Sequence, residues 1–216
     1  MKIIEIYKTI QGEGGLTGVL TTFIRTAGCN MRCVWCDTPF SWNKEMKKLM
    51  ITMTPDEIVA DCKERGAKHI CITGGEPMLQ KDLAEVVNKL RCENFHVSIF
   101  TNGTLPLAPI HCVDKWCVDY KLKSAKDNTP FYKPNFNFLR NCDELKFVVA
   151  DESDFDEVLE ILSEEKTNAK VLISPCLDGK VNHNAIKIAE RIIKENLNVR
   201  YSLQLHTILW GNKRGV

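Results

Sequence analysis

The chain has no surplus of charge, no long apolar run and no repeat. Its 216 residues hold 29 lysines and arginines against 28 acids, a net charge of +1, which leaves no electrostatic footprint for nucleic acid. No basic run or charged tail breaks that balance. No stretch approaches the ~20 apolar residues that a membrane-spanning helix needs. Residues 1–8 carry Glu5 and Lys8 where a signal peptide would have its apolar segment. A cytoplasmic, reducing setting is therefore expected. Neither a low-complexity tract nor a linker divides the sequence, so residues 1–216 are expected to form one domain. With 44% hydrophobic residues it should fold around one sizeable core.

Ten cysteines are present, but no second clustered pair exists to complete a four-cysteine site. Three of them fall in Gly28-Cys29-Asn30-Met31-Arg32-Cys33-Val34-Trp35-Cys36-Asp37-Thr38, spaced C-x-x-x-C-x-x-C. Thiolates that close together can all reach one metal centre. A four-iron cluster needs a ligand for each iron, so three cysteines leave one iron open to bind and activate something. The alternative is a structural metal site, or buried thiols that coincide by chance. Cys62, Cys71, Cys92, Cys112, Cys117, Cys142 and Cys176 stand singly and read as small core hydrophobes. Cys112 and Cys117 lack the C-x-x-C spacing of a redox pair.

Along the chain, residues 1–8 read as a first strand and Thr9-Ile10-Gln11-Gly12-Glu13-Gly14-Gly15 as a glycine-rich loop. That loop either lets backbone approach a ligand or is a plain turn. Residues 20–26 read as a buried strand holding Arg25, which needs a partner or else snorkels to solvent. Thr54-Pro55-Asp56-Glu57 predicts a capped helix start and Gly66 its end. A strand over 69–73 runs into Gly74-Gly75-Glu76-Pro77, a loop where backbone must come close to something. A helix striped by Leu79, Leu83, Val86, Val87 and Leu90 follows, then a strand over 97–101.

Residues 115–121 form a strand whose period of two separates Trp116, Val118 and Tyr120 from Cys117, Asp119 and Lys121. The charged face suggests either a polar cavity or an edge strand with one wet side. Residues 122–141 read as a long loop of the kind that often forms a lid. Further strands are expected over 145–149, 171–174 and 199–206, with helices over 153–164 and 185–195. The last helix is striped by Ile186, Ala189, Ile192 and Ile193. The last strand aligns Ser202, Gln204 and His206 on one face, so His206 is either a site residue or a structural histidine. The tail with Trp210 either docks on the body or frays. Alternating strands and helices predict an α/β fold, an incomplete (β/α) barrel of about six mostly parallel strands. Such sheets bind ligands at the carboxyl ends of their strands; the cysteine loop, the Gly-Gly-Glu-Pro loop, Asp119 to Lys121 and His206 fall at or near strand ends and are expected to converge on one mouth.

Cys29-x-x-x-Cys33-x-x-Cys36 followed by Thr73-Gly74-Gly75-Glu76-Pro77 resembles the radical S-adenosylmethionine superfamily. Thr9-Ile10-Gln11-Gly12-Glu13-Gly14, residues 23–29, Trp35-Cys36-Asp37-Thr38, Gln204-Leu205-His206-Thr207 and the ending Leu209-Trp210-Gly211-Asn212-Lys213-Arg214-Gly215-Val216 resemble the 7-carboxy-7-deazaguanine synthase family. The resemblance spans the whole chain. It implies a carbon–nitrogen lyase that converts 6-carboxy-5,6,7,8-tetrahydropterin to 7-carboxy-7-deazaguanine with loss of ammonia, a step toward queuosine and other deazapurines. It implies a [4Fe–4S] cluster, S-adenosylmethionine that is cleaved to a 5′-deoxyadenosyl radical and regenerated, Mg²⁺, an electron donor such as flavodoxin, and a homodimer.

By the same resemblance Cys29, Cys33 and Cys36 hold the cluster. Trp35, Cys36, Asp37, Gly75 and Glu76 meet S-adenosylmethionine. Thr38 ligates Mg²⁺, to which a hard oxygen is suited. Ile10, Gln11, Gly12, Glu13, Thr73 and His206 meet the pterin, Arg25 its carboxylate, and Val216 its amine side. Asp119-Tyr120-Lys121 stands where some family members have Ser-Pro-Lys as further cofactor contacts, and Ser124 competes for that role. No side chain is implied as a catalyst beyond the cofactor chemistry; the protein orients and shields. Two other readings compete: a glycyl-radical-enzyme activase, which shares the cysteine spacing but acts on a protein, and a non-enzymatic zinc or iron–sulfur module.

Overall fold

Strands that alternate apolar and polar side chains set the architecture. The computed structural model describes residues 1–177, 181–211 and 213–216. β1 (Lys2–Ile10) pairs antiparallel with β2 (Leu20–Thr26), placing Glu5 opposite Arg25 and Tyr7 opposite Phe23. β3 (Ile51–Thr52) joins the other side of β1. From β2 onward the pairing is parallel through β4 (His69–Gly74), β5 (His96–Thr101), β6 (Lys115–Tyr120), β7 (Glu144–Val149), β8 (Lys170–Pro175) and β9 (Arg200–Tyr201). The order is β3-β1-β2-β4-β5-β6-β7-β8-β9, an open, mostly parallel sheet that makes an incomplete barrel. Each stretch expected as a strand contributes one, though the last is cut to two residues, and β3 is the strand with no counterpart among them.

The helices are α1 (Met46–Leu49), α2 (Pro55–Arg65), α3 (Leu83–Cys92), α4 (Asn135–Phe138), α5 (Glu152–Glu164), α6 (His183–Lys194) and α7 (Leu205–Trp210). α2 starts and stops where its local chemistry dictates. The Thr54 hydroxyl and Glu57 carboxylate form a reciprocal capping box, Pro55 opens the first turn, and Gly66 closes the helix at φ +75°. Ile58 and Cys62 of α2, Leu83, Val86 and Leu90 of α3, and Phe155 and Val158 of α5 are buried with Ile24, Ile72, Ile99, Val118 and Phe147 of the strands in one core. Each fully buried side chain of this size contributes roughly 1.5–3 kcal/mol.

Several expectations change. The strand expected over 199–206 ends at Tyr201, beyond which Ser202 N–H bonds the Ile173 carbonyl, and Gln204 caps α7, so His206 lies on a helix. On α6 the buried residues are Ala185 and Ile188, while Ile186 and Ile193 face outward. Leu79 sits exposed in a 3-10 turn before α3. Cys62, Cys71 and Cys117 are buried as expected, but Cys92, Cys112 and Cys142 are exposed and Cys176 is half-buried. Residues 122–141 include a 3-10 turn and α4. Phe131 from this segment packs on Tyr120 and Phe136, and Asp127 accepts from Arg32 N–H, so it buttresses the cysteine loop and the outer face. β6 lies between β5 and β7, which removes the edge-strand reading of Asp119 and Lys121. Among the described residues no helix is long and apolar enough to cross a membrane.

Candidate active site

The inner face of the sheet carries the polar half of each strand: Glu5 and Tyr7, Arg25, Cys71 and Thr73, Ser98, Cys117 and Asp119, Glu144 and Lys146. Two cavities open among these side chains and the loops at the strands' carboxyl ends. The first is lined by Ile10, Gln11, Gly12 and Glu13, by Arg25, Cys71, Thr73 and His206, and by Arg214, Gly215 and Val216 of the tail. The second is lined by Cys33, Trp35 and Cys36, by Gly74 and Gly75, and by Asp119, Lys121, Lys146 and Cys176. Glu13, Arg25, Asp37, Thr38, Thr73, Phe100 and Thr207 line both, so the two are compartments of one site.

The cysteine loop is fixed by its neighbours. Glu76 N–H donates to the Gly28 carbonyl at 2.7 Å and Gly75 N–H to the Thr26 carbonyl at 3.1 Å. A Cβ on Gly75 would stand 1.9 Å from the Gly28 oxygen, so this glycine is dictated by the cysteine loop itself. Met31 N–H and Trp42 Nε1–H each point at a thiol, Cys29 and Cys36 respectively, at 3.4 Å. Burial pushes the Cys29 thiol up, and it pushes Cys33 to about 11 despite the opposing pull of Lys121. Among the described residues no three His, Cys, Asp or Glu side chains gather tightly enough for a single ion. A four-iron cluster takes each thiolate on a separate iron. Three free, partly accessible thiols on one loop are the donor set such a cluster requires.

On the other side, Gln11 is buried, and its Nε2 has no hydrogen-bond partner beyond the weak acceptor of the neighbouring Cys71 thiol. Gly12 is pressed against His206: an added Cβ would fall 2.2 Å from its Nδ1. Leu205 N–H donates to the Gly12 carbonyl at 2.8 Å, tying α7 to the loop. Burial alone would raise Glu13, but Lys146, His206 and the hydrogen bond from Gln204 hold it at about 2. Arg25 does not snorkel. Its Nε donates to Glu5 and its Nη2 to the Tyr7 hydroxyl, both at 2.8 Å, and Phe40 lies beside it. Arg214 takes the other Glu5 oxygen at 2.7 Å and stacks over Phe40, so the tail docks. Asn212 of the tail motif lies outside the described residues.

Three expected cofactor residues are not brought to the cavities. Glu76 is fully buried, and its oxygens accept from Met78 N–H, Thr101 Oγ1–H and Asn102 N–H. Tyr120 faces outward into Phe131, Phe136 and Phe147. Ser124 lies in the 3-10 turn behind the cysteine loop with its buried Oγ unpartnered. Conversely, the sequence reading missed Lys146, Phe100, Cys176 and Arg214. Lys146 carried a signal, since a lysine inside the apolar run 145–149 marks the inner face. The others carried none.

A sheet of this topology with three cysteines on the loop after its first parallel strand defines a radical S-adenosylmethionine enzyme, and residues 23–117 match the radical SAM superfamily. The chain is 36% identical to the 7-carboxy-7-deazaguanine synthase of Clostridium acetobutylicum, over 100% of this chain and 99% of that one. It is 37% identical to the enzyme of that name from Methanospirillum hungatei, over 97% and 85%. The crystal structure of QueE from Escherichia coli superposes with a TM-score of 0.72 at 25% identity, covering 95% of this chain and 94% of that one. The chain belongs to the 7-carboxy-7-deazaguanine synthase family. Streptococcus suis SuiB bound to its precursor peptide SuiA, at a TM-score of 0.60 and 12% identity over 84% of this chain and 47% of that one, shares the fold.

Proposed function

We propose that the chain catalyses ring contraction of 6-carboxy-5,6,7,8-tetrahydropterin to 7-carboxy-7-deazaguanine with loss of ammonia. The observation that carries this is the pair of connected compartments, one bearing cluster-type thiols and the other a buried amide without a strong acceptor, with the half-buried Arg25 lining both. Cys29, Cys33 and Cys36 hold a [4Fe–4S] cluster, and Trp35, Asp37, Gly75, Asp119 and Lys121 hold S-adenosylmethionine. When bound, that pair supplies reductive cleavage and hydrogen-atom abstraction.

The protein's own part is orientation. Arg25, with Nε and Nη2 held by Glu5 and Tyr7, presents the rest of its fork to the substrate carboxylate. Glu5 is shared by two guanidiniums, so its single charge is divided between Arg25 and Arg214. Gln11 Nε2, which has only the weakly accepting Cys71 thiol beside it, donates to a pterin acceptor. Gly12, Ile10, Glu13, Thr73, His206 and Val216 enclose the ring. Thr38, whose hydroxyl lies 3.3 Å from Asp37 Oδ1 and which lines both compartments, is placed to ligate a Mg²⁺ shared with substrate. An electron donor of the flavodoxin type would meet the cysteine loop at the exposed Val34, whose N–H bonds Ala125 beside the exposed Lys123 and Lys126. A homodimer and a cytoplasmic setting complete the reading.

The test is anaerobic incubation of the reconstituted protein with S-adenosylmethionine, reductant, Mg²⁺ and 6-carboxytetrahydropterin, read by mass spectrometry. Product of the mass of 7-carboxy-7-deazaguanine is expected. Intact pterin beside a fully loaded cluster would overturn the assignment.

A further inference from the structure

Lys146 sits in mid-β7, paired in register with Asp119 on β6. Its side chain is only 5% exposed, and its ammonium lies 2.6 Å from Glu13 Oε2 and 3.4 Å from Asp119 Oδ2. The other oxygen of Glu13 accepts from Gln204 Nε2. Asp119 Oδ2 also lies 2.9 Å from Lys121 Nζ, which stands 4.8 Å from the centre of the Trp35 ring. Gln204, Glu13, Lys146, Asp119, Lys121 and Trp35 therefore form a continuous chain from the glycine-rich loop to the cysteine loop. Two carboxylates balance two ammoniums within it. One acceptor is left over, Asp119 Oδ1, which is buried and has no partner.

Stability alone is a poor reason for this arrangement. Taking ions out of water is costly, and apolar side chains of equal size often serve a core as well. The chain also crosses the boundary between the two compartments: Glu13 lines both, while Asp119, Lys121 and Trp35 line only the cofactor side. We propose that Lys146 is a positioning residue that makes occupancy of the two compartments cooperative. The inference rests on the assignment of substrate and cofactor compartments given above.

The sign follows from the distances. A ligand N–H or O–H that donates to Asp119 Oδ1 draws that carboxylate toward the cofactor side. The longer of the two lysine contacts, to Asp119, yields first. Lys146 is then committed to Glu13 and pins the glycine-rich loop in the position that lines the pterin side. Linkage requires the same effect in reverse, so a pterin held by that loop tightens S-adenosylmethionine.

The experiment uses the anaerobic, cluster-loaded protein without reductant, so that nothing turns over. The affinity for 6-carboxypterin, an oxidised substrate analogue, is measured by fluorescence titration with and without saturating S-adenosylmethionine. In the unchanged protein the cofactor should tighten pterin binding about fivefold or more. In Lys146→Met that factor should fall to about one, and Lys146→Arg should restore most of it. A merely structural lysine would weaken both affinities and leave their ratio alone, so an unchanged ratio in Lys146→Met overturns the proposal. Should that variant fail to fold, Asp119→Asn decides. It keeps the Lys146–Glu13 pair and must still lose the factor, and a full factor there overturns the proposal. Pterin binding that is indifferent to cofactor in the unchanged protein also overturns it, while leaving the proposed reaction standing. No pterin binding at all would sink the functional reading and this inference with it.

Discussion

The two faces of the same sheet obey opposite rules. On β6 and β7 the outward side chains are Trp116, Val118, Tyr120, Leu145, Phe147 and Val149, packed in the apolar core beneath the helices or, for Tyr120, against it. One residue away on the same strands lie Cys117, Asp119, Glu144 and Lys146, in a layer of ion pairs. The outer face gains from water exclusion, whereas the inner face spends some of that gain holding charges out of water. The difference teaches where substitutions act: the outer face carries stability, and the inner face carries chemistry.

The largest test of that division is Cys33→Ala. It should abolish both cluster and turnover while the melting temperature of the cluster-free protein barely moves; a brown, active variant would end the division. Phe147→Ala is the mirror case. It should cost about 3–5 kcal/mol in denaturant unfolding, and a loss below about 1 kcal/mol would mean that the outer face is loosely packed. Acid sharpens the comparison next. Glu13 is depressed to about 2 in the folded chain from an ordinary value of 4.5, so the unfolded chain binds its proton first. Its stabilising contribution is complete above about pH 4.5 and disappears as pH falls toward 2. Glu13→Gln should flatten that limb of the stability–pH curve, and an unaltered limb would place acid sensitivity elsewhere. A smaller effect is expected for Thr38→Ala, which should keep the cluster but weaken the response to Mg²⁺; an unchanged metal response removes Thr38 from the site. Smallest of all, Ile193→Lys should shift stability by no more than about 0.5 kcal/mol, because Ile193 is 79% exposed. A large loss there would show that α6 is covered in solution.

What was legible in the sequence was local. The capping box of Thr54 and Glu57, and Gly66 at the far end of α2, need no distant partner to act, and the structure repeats them residue for residue. The inward turn of Asp119 and Lys121 was readable because a strand's period is fixed at two. α6 was misjudged because isoleucines at 186, 188, 192 and 193 surround the helix. Only contact with the sheet, where the Tyr201 hydroxyl reaches the Ala185 carbonyl, selects the buried side. The segment 199–206 alternates like a strand, yet pairing with β8 stops at Tyr201. Glu76 reads as a ligand-facing acid in a glycine loop, but three internal donors claim it. Arg214 was invisible because its partner Glu5 lies at the opposite end of the chain.

That carboxylate ties the two extremes of the sequence together. One Glu5 oxygen accepts from Arg25 and the other from Arg214, so a residue of the first strand braces a guanidinium on the sheet and another on the final turn. Both guanidiniums line the same cavity, whose wall is therefore assembled from positions some two hundred residues apart. A change at Glu5 would loosen both supports at once, which neither end of the chain discloses when read alone.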